Sequence, residues 1–130
     1  MSKRRLTGIN IQFPISQLIV EGEKTIETRT YPIPEHYLGK ELAIVETPGK
    51  SGNFKARVIG SVVFGRCFQY RSERDFYADE QRHRVSPDSP WKWAEDKPKW
   101  GWEIHKVTML KNPIPAPKRR GIVYTKEIEI

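Results

Sequence analysis

Apolar and polar residues alternate in two short runs that flank a helical segment at the start of the chain. Segment 7–13 alternates as a half-buried strand does. Segment 14–21 instead has its apolar residues at helical spacing, begins with Pro14, and is followed by Gly22, which suits a left-handed helix stop. Segment 25–31 returns to alternation and is rich in β-branched residues. The pattern therefore predicts a strand, a short helix and a second strand.

Two further apolar runs, 41–46 and 54–64, lie on either side of a loop at 47–53 and predict a β-hairpin. Gly60 lies inside the second run and predicts a bulge or a bend. The loop holds Gly, Lys and Ser in close order, but it lacks the spacing of a phosphate-binding P-loop. Because a strand rather than a helix follows it, we exclude a P-loop here.

Charged residues and prolines become frequent in the second half of the chain. Segment 72–80 predicts a helix, because Ser72 can cap it and acidic residues fill its first turn. The proline-rich segment 86–99 carries two tryptophans and predicts an ordered excursion rather than a linker. A strand is expected over 100–107, and the three prolines within 109–118 are expected to end it.

The chain is expected to close with a short strand over 121–124, and 125–130 is either a further strand or a frayed tail. The order of elements predicts an α+β fold, a small and partly closed β-barrel with short helices at its ends. At 130 residues the chain is long enough for one core, so we expect a single domain over 1–130 with its core at about 7–125.

The chain carries a net charge of +7, which favours an anionic partner, with nucleic acid or a nucleotide ahead of a membrane surface. No apolar run approaches the roughly 18 residues that a membrane helix needs, so we expect no membrane association. The basic N-terminus lacks the apolar region of a secretory signal. We therefore expect a cytoplasmic protein.

The only cysteine, Cys67, lies in an apolar strand-like run and is expected to be a buried, inert thiol. His36, His83 and His105 are far apart and form no metal-ligand spacing with it. The sequence therefore predicts no metal site and no cofactor.

Three charged residues, Lys24, Glu27 and Arg29, leave the predicted helix-to-strand corner together. Alternation places Glu27 and Arg29 on one face of the strand, while Lys24 precedes the strand and its direction is not set by this rule. In a functional site, Lys24 would hold a phosphate or carbonyl oxygen, and Glu27 would act as a base or accept from a nucleobase. Arg29 would bind a phosphate or position Glu27. The alternative is an ordinary exposed ion-pair network.

Residues 22–29, Gly-Glu-Lys-Thr-Ile-Glu-Thr-Arg, resemble the G-x-K-x-x-E-x-R signature of the ASCH domain, a branch of the PUA-like superfamily. The resemblance extends to segment 13–22, to strand 60–64 and to the Trp-Gly-Trp at 100–102, so that it covers roughly residues 7–110. It implies a PUA-like β-barrel with a cleft beside the corner, and a function in binding RNA or acting on it.

Some members of this family resemble ribonucleases, and a related small subgroup hydrolyses N4-acetylcytidine with a lysine, a threonine and a glutamate. The resemblance places that lysine at Lys24, but the threonine position holds Glu27. A carboxylate cannot simply replace a hydroxyl nucleophile. Glu73 and Asp75 are candidates for the glutamate partner. If the protein is an enzyme, the resemblance implies a metal-independent hydrolase with Lys24 and Glu27 as its catalytic residues.

Aromatic and basic residues are interleaved from residue 70 onward, a mixture that suits single-stranded RNA because bases stack on rings and phosphates pair with arginines. The candidate ligand-binding residues are Arg29, Tyr31, Trp91, Trp93, Arg74 and Arg84. The alternative is that the tryptophans fill the core, which we expect mainly of Trp100 and Trp102. The sequence thus predicts an RNA- or nucleoside-binding PUA-like domain, with a hydrolase of RNA or a modified nucleoside, or a protein-interaction module, as alternatives.

Overall fold

A computed structural model of the chain describes residues 4–118, 121 and 123–130. Its strands and helices are β1 (Arg5–Gln12), α1 (Ile15–Val20), β2 (Ile26–Arg29), β3 (Glu41–Thr47), β4 (Arg57–Tyr70), α2 (Glu73–Ala78), α3 (Glu80–His83), β5 (Lys99–Pro115) and β6 (Tyr124–Glu129). A single 3-10 turn at Glu35–Tyr37 precedes β3 in this described part of the chain.

The strands form one mixed sheet in the order β2-β5-β4-β3-β1-β6. The β1 and β3 strands are parallel, and the other neighbouring pairs are antiparallel. The sheet is not closed by backbone pairing, but Arg29 at the end of β2 donates from Nη2 to the Asn10 carbonyl of β1 at 3.1 Å. The predicted α+β class with a partly closed barrel and short helices is confirmed, as is the β3–β4 hairpin around 47–53.

The bulge predicted at Gly60 is confirmed. The register of β4 shifts against β3 and against β5 next to this residue. A Cβ atom on Gly60 would lie 2.3 Å from the carbonyl oxygen of Thr108, closer than any side chain could approach. Glycine is therefore required at this position, where the backbone of β5 lies too close to β4 for a side chain.

The strand predicted over 100–107 is longer than expected, and it ends inside the proline segment 109–118 rather than before it. β5 continues to Pro115, and its last residues pair with the start of β4 through Val58–Ile114 and Arg57–Pro115. β2 pairs with β5 only over 100–103. Beyond residue 103, β5 has no second partner strand among the described residues, and proline is tolerated at such an open edge because no ladder donor is required there.

The C-terminal strand begins later than predicted. Ile122, within the predicted strand 121–124, lies outside the described residues, as do Lys3, Arg119 and Arg120 of the basic ends. β6 instead occupies 124–129 and pairs antiparallel with β1, so segment 125–130 is largely a strand. The predicted helix 72–80 divides into α2 and α3, and Ser72 caps it by accepting from the Asp75 N–H at 3.1 Å.

The main core is formed by α1 and side chains of β1, β3, β4 and β5. Its largest fully buried members are Ile9, Ile11, Ile19, Leu42, Ile44, Phe64 and Trp102. Trp100 packs against this cluster, in agreement with the expectation for both tryptophans. Cys67 is half-buried, and its burial raises the pKa of the thiol.

None of the helices in the described part of the chain is long and apolar enough to cross a membrane.

Candidate ligand-binding cavity

The direction of Lys24 is set by the stop of α1. Gly22 has a positive φ of 81°, and its N–H donates to the Ile19 carbonyl at 3.1 Å. The N–H groups of Glu23 and Lys24 both donate to the Leu18 carbonyl at 2.9 Å, which folds the chain back over the end of the helix. The side chain of Lys24 therefore points inward, and only 3% of it is exposed.

The three charges of the corner converge in a buried site rather than an exposed network. Lys24 Nζ lies 3.8 Å from Glu27 Oε1. Arg29 contacts the other carboxylate oxygen, Glu27 Oε2, from Nε at 3.0 Å and from Nη2 at 2.9 Å. The carboxylate thus lies between the two cations, with one oxygen facing each of them.

Electrostatics distinguish the two cations. Burial lowers the pKa of Lys24; Glu27 opposes this shift, and the positive charge of Arg29 adds to it. Burial also acts to lower the pKa of Arg29, but Glu27 and the Tyr31 hydroxyl outweigh it and raise that pKa. Glu27 therefore compensates Arg29 more completely than Lys24.

The end of α3 holds the Lys24 ammonium, which donates to the carbonyl of His83. His83 is fully buried, and its Nδ1 accepts from the Val85 N–H at 3.0 Å. Its Nε2 therefore carries the proton and donates to the Phe76 carbonyl at 2.6 Å. Burial lowers the pKa of His83, which favours this neutral form. No pattern in the sequence predicts this contact between His83 and Lys24.

A cavity of about 450 Å³ opens beside the corner. Its walls come from β1, α1, β2, the end of β3, segment 85–91 and the start of β5. The lining side chains include four charged ones, two aromatic ones and several hydroxyls and amides, namely Lys24, Glu27, Arg29, Lys99, Tyr31, Trp91, Asn10, Gln12, Thr28, Thr30 and Thr47. A site of this composition can bind a small ligand that has both anionic and aromatic parts.

Of the eight candidate catalytic and ligand-binding residues, the structure brings five into this cavity: Lys24, Glu27, Arg29, Tyr31 and Trp91. Glu73 and Asp75, the candidates for a glutamate partner, are exposed on α2 and do not line it. Trp93 does not line it, since its ring packs 5.7 Å from that of Phe76. Arg74 is exposed on α2, and Arg84 lines a separate surface pocket with Tyr77 and Glu80.

Lys99 is a cavity residue that the sequence reasoning did not select. It is only 6% exposed, and its Nζ donates to the Trp91 carbonyl at 2.6 Å. Burial is the main cause that lowers the pKa of Lys99, and the charge of Lys97 adds to it. The charge of Lys99 in turn acts to lower the pKa of Lys24. Lys97 is exposed. Lys97 and Lys99 are two positions apart in the same basic segment, so the sequence pattern does not show which of them is buried.

No group of His, Cys, Asp and Glu side chains within the described ranges is arranged to hold a metal ion.

No protein-family model and no curated protein matches the sequence. Among solved structures, the chain is similar to ASCH from Zymomonas mobilis, with 18% identity and a TM-score of 0.64 over 84% of this chain and 72% of that one. A Tyr-to-Phe variant of the same protein gives 19% identity and a TM-score of 0.61 over 86% and 76% of the two chains. A Ser-to-Ala variant gives 17% identity and a TM-score of 0.65 over 92% of this chain and 86% of that one. The chain therefore has the ASCH fold, and the fold that the signature implied is confirmed.

Proposed function

We propose that this protein is an ASCH domain that binds RNA or a nucleoside in the cavity beside Lys24, Glu27 and Arg29. The observation that carries the proposal is the convergence of these side chains with Trp91 around one space of about 450 Å³. This volume lies within the range of roughly 300–1,000 Å³ that is typical of ligand sites. The net charge of +7 favours an anionic polymer as the ligand.

Different residues of the cavity wall suit different parts of a nucleotide. Trp91 is 41% exposed and offers a ring face on which a base can stack. Thr28 and Thr30 on β2 add hydroxyls that can bond to the edge of a base or to a sugar. Arg29 already donates to Glu27, to Tyr31 and to the Asn10 carbonyl, so its role is to hold the wall in place. Lys24 and Lys99 are then the cations that face the ligand.

The two tryptophans of the excursion provide a matched test with a labelled single-stranded RNA and fluorescence anisotropy. We expect Trp91→Ala to weaken binding by about 1–3 kcal/mol, the usual value of one stacked base. Trp93→Ala removes a ring that packs on Phe76, so we expect it to lower stability but to leave the affinity of the folded protein unchanged. Equal losses of affinity in both variants would contradict the proposal, as would the failure of RNA and nucleosides to bind at any salt concentration.

A second candidate function, hydrolysis of RNA or of an acylated nucleoside, is favoured by one observation. A buried lysine with a lowered pKa beside a carboxylate is typical of acid–base sites. In that reaction Lys24 would stabilise developing negative charge, and Glu27 would act as the base. Glu27 Oε2 contacts two nitrogens of Arg29 and Oε1 faces Lys24, an arrangement that also serves to hold these two side chains in place. For this reason we place binding first.

The two functions are separated by incubating the protein with labelled RNA and with N4-acetylcytidine in EDTA, beside the Lys24→Ala variant. Turnover that is lost in the variant supports the hydrolase. Binding without turnover, with an affinity that falls steeply as salt rises, supports the binding domain.

A further inference from the structure

The cavity beside the corner carries more positive than negative charge. Lys24, Arg29 and Lys99 line it together with a single carboxylate, that of Glu27. The formal excess is two positive charges. Because charges in a partly enclosed space are screened less than those at a surface, this excess disfavours the ligand-free state of the cavity.

The protein itself compensates these cations unequally. Glu27 contacts Arg29 at 2.9 and 3.0 Å, and it lies 3.8 Å from Lys24. Lys99 makes no ion pair with any described residue, and its hydrogen-bond partner is the neutral carbonyl of Trp91. Lys24 likewise donates to a neutral carbonyl, that of His83. Both buried ammonium groups thus donate to backbone oxygens, and the charge of Lys99 acts on Lys24.

The backbone contacts hold both lysines without neutralising them. An ammonium group has three donors, and a carbonyl uses one of them. Both side chains are nearly fully buried, at 3% and 6% exposure, so bulk water does not supply a full hydration shell. A bound anion would satisfy the remaining donors and the charge at the same time.

We propose that Lys24 and Lys99 bind a terminal phosphate, so that the cavity takes a phosphorylated nucleotide, either a mononucleotide or the phosphorylated end of an RNA. A phosphomonoester carries a charge of about −1.5 to −2 at neutral pH and matches the excess of two, whereas an internal phosphodiester carries about −1. Lys99 donates a hydrogen bond to the Trp91 carbonyl, and both residues line the cavity, so the phosphate site and the ring proposed for base stacking belong to the same space. The inference rests on the proposed function and makes its ligand class specific.

Calorimetric titration with three sets of probes tests the phosphate site: the four ribonucleosides, their 5′- and 3′-monophosphates, and inorganic phosphate. We expect at least one monophosphate series to bind about tenfold or more tightly than the nucleosides, the usual effect of a charge-assisted contact. Lys99→Met should reduce the affinity for that monophosphate to about that of the nucleoside and leave the nucleoside unaffected. Lys111→Met removes an exposed lysine from the same strand and should change neither affinity.

The other outcomes overturn the inference in distinguishable ways. If nucleosides and monophosphates bind equally well, or if Lys99→Met weakens both alike, the phosphate site is wrong but the proposed function stands. If inorganic phosphate binds as tightly as the nucleotides, the site belongs to free phosphate and not to a nucleotide. If no probe and no RNA binds, both proposals fail. Lys24→Met removes the other ammonium and gives the same readout should Lys99→Met not fold.

Discussion

Two buried carboxylates, Glu46 on β3 and Glu27 on β2, differ in how the protein balances their surroundings. Glu46 on β3 is fully buried, and its Oε2 accepts from Ser16 at 2.7 Å and from Gln17 at 2.6 Å. Its Oε1 accepts from Arg57 Nε at 2.8 Å. One anion thus meets one cation and two neutral donors. Glu27, in contrast, is the single carboxylate beside three cavity cations.

The difference in charge balance separates a structural carboxylate from one at a candidate ligand site. Burial alone would raise the pKa of Glu46, but the hydrogen bonds from Gln17, Ser16 and Arg57 outweigh it and lower that pKa. These bonds fasten α1 to β3 and are complete within the protein. Around Glu27 the cavity lining keeps a formal excess of two positive charges, which the proposed phosphate would neutralise. A buried charged residue therefore suggests a ligand site only where the surrounding protein groups of opposite charge do not balance it.

The largest expected effect comes from Glu46→Ala. The substitution leaves Arg57 without its ion-pair partner and leaves the Ser16 and Gln17 donors without an acceptor. We expect the free energy of unfolding to fall by about 3 kcal/mol, measured by urea denaturation.

The matched control is Glu23→Ala, at an exposed position next to the corner, which should change stability by no more than about 0.5 kcal/mol. Similar losses of unfolding free energy in the two variants would show that the hydrogen bonds of Glu46 do not stabilise the fold.

Glu27→Gln should lower stability without lowering the affinity for the ligand. Arg29 and Lys24 lose the carboxylate between them, so we expect the free energy of unfolding to fall by about 1–2 kcal/mol. Because the formal excess of cavity charge rises from two to three, affinity for a phosphorylated RNA should hold or increase a few-fold in anisotropy titrations. Any hydrolysis that uses Glu27 as its base should be abolished.

Glu46→Gln is the comparison for this variant, since it should lower stability without any gain in RNA affinity. A tenfold loss of affinity in folded Glu27→Gln would mean that the carboxylate itself contacts the ligand, contrary to the prediction.

The smallest effect concerns acid stability. The folded-state pKa of Glu46 lies below its usual value of 4.5, so as the pH falls the unfolded chain takes up this proton first. The stabilisation by Glu46 is therefore present above about pH 4.5 and is lost as the pH falls through the folded-state pKa. Urea denaturation above and below pH 4.5 should show a shallower loss of stability in Glu46→Gln than in the unchanged protein. Parallel pH profiles would contradict this assignment.

Much of the fold was predictable because its signals are local. Gly22 marks the end of α1, the loop at 47–53 marks a hairpin, and Gly60 marks a bulge. The strand limits were less accurate, since the prolines after residue 109 suggested an end near residue 107, whereas β5 continues to Pro115. Pairing with β4 extends β5 past Pro113, and proline is tolerated there because β2 pairs with β5 only as far as residue 103 and leaves the other side of β5 open among the described residues.

The candidate site divides in the same way. The grouping of Lys24, Glu27 and Arg29 follows from the eight consecutive residues 22–29, which form the turn after α1 and the β2 strand. The choice of Trp91 over Trp93, and of Lys99 over Lys97, does not follow from any pattern. These choices depend on which side of the excursion packs against α2 and which side faces the cavity.

The sequence by itself determined where the charged corner lies, the α+β class and the basic character of the chain, because alternation, turn chemistry and charge act over a few residues or over the whole composition. Only the tertiary structure decided that Glu46 is satisfied, that Lys99 joins Lys24, and that the cavity holds an excess of positive charge. Burial and charge balance arise where distant segments meet, as the start of β5 meets Trp91, and no local pattern records those contacts.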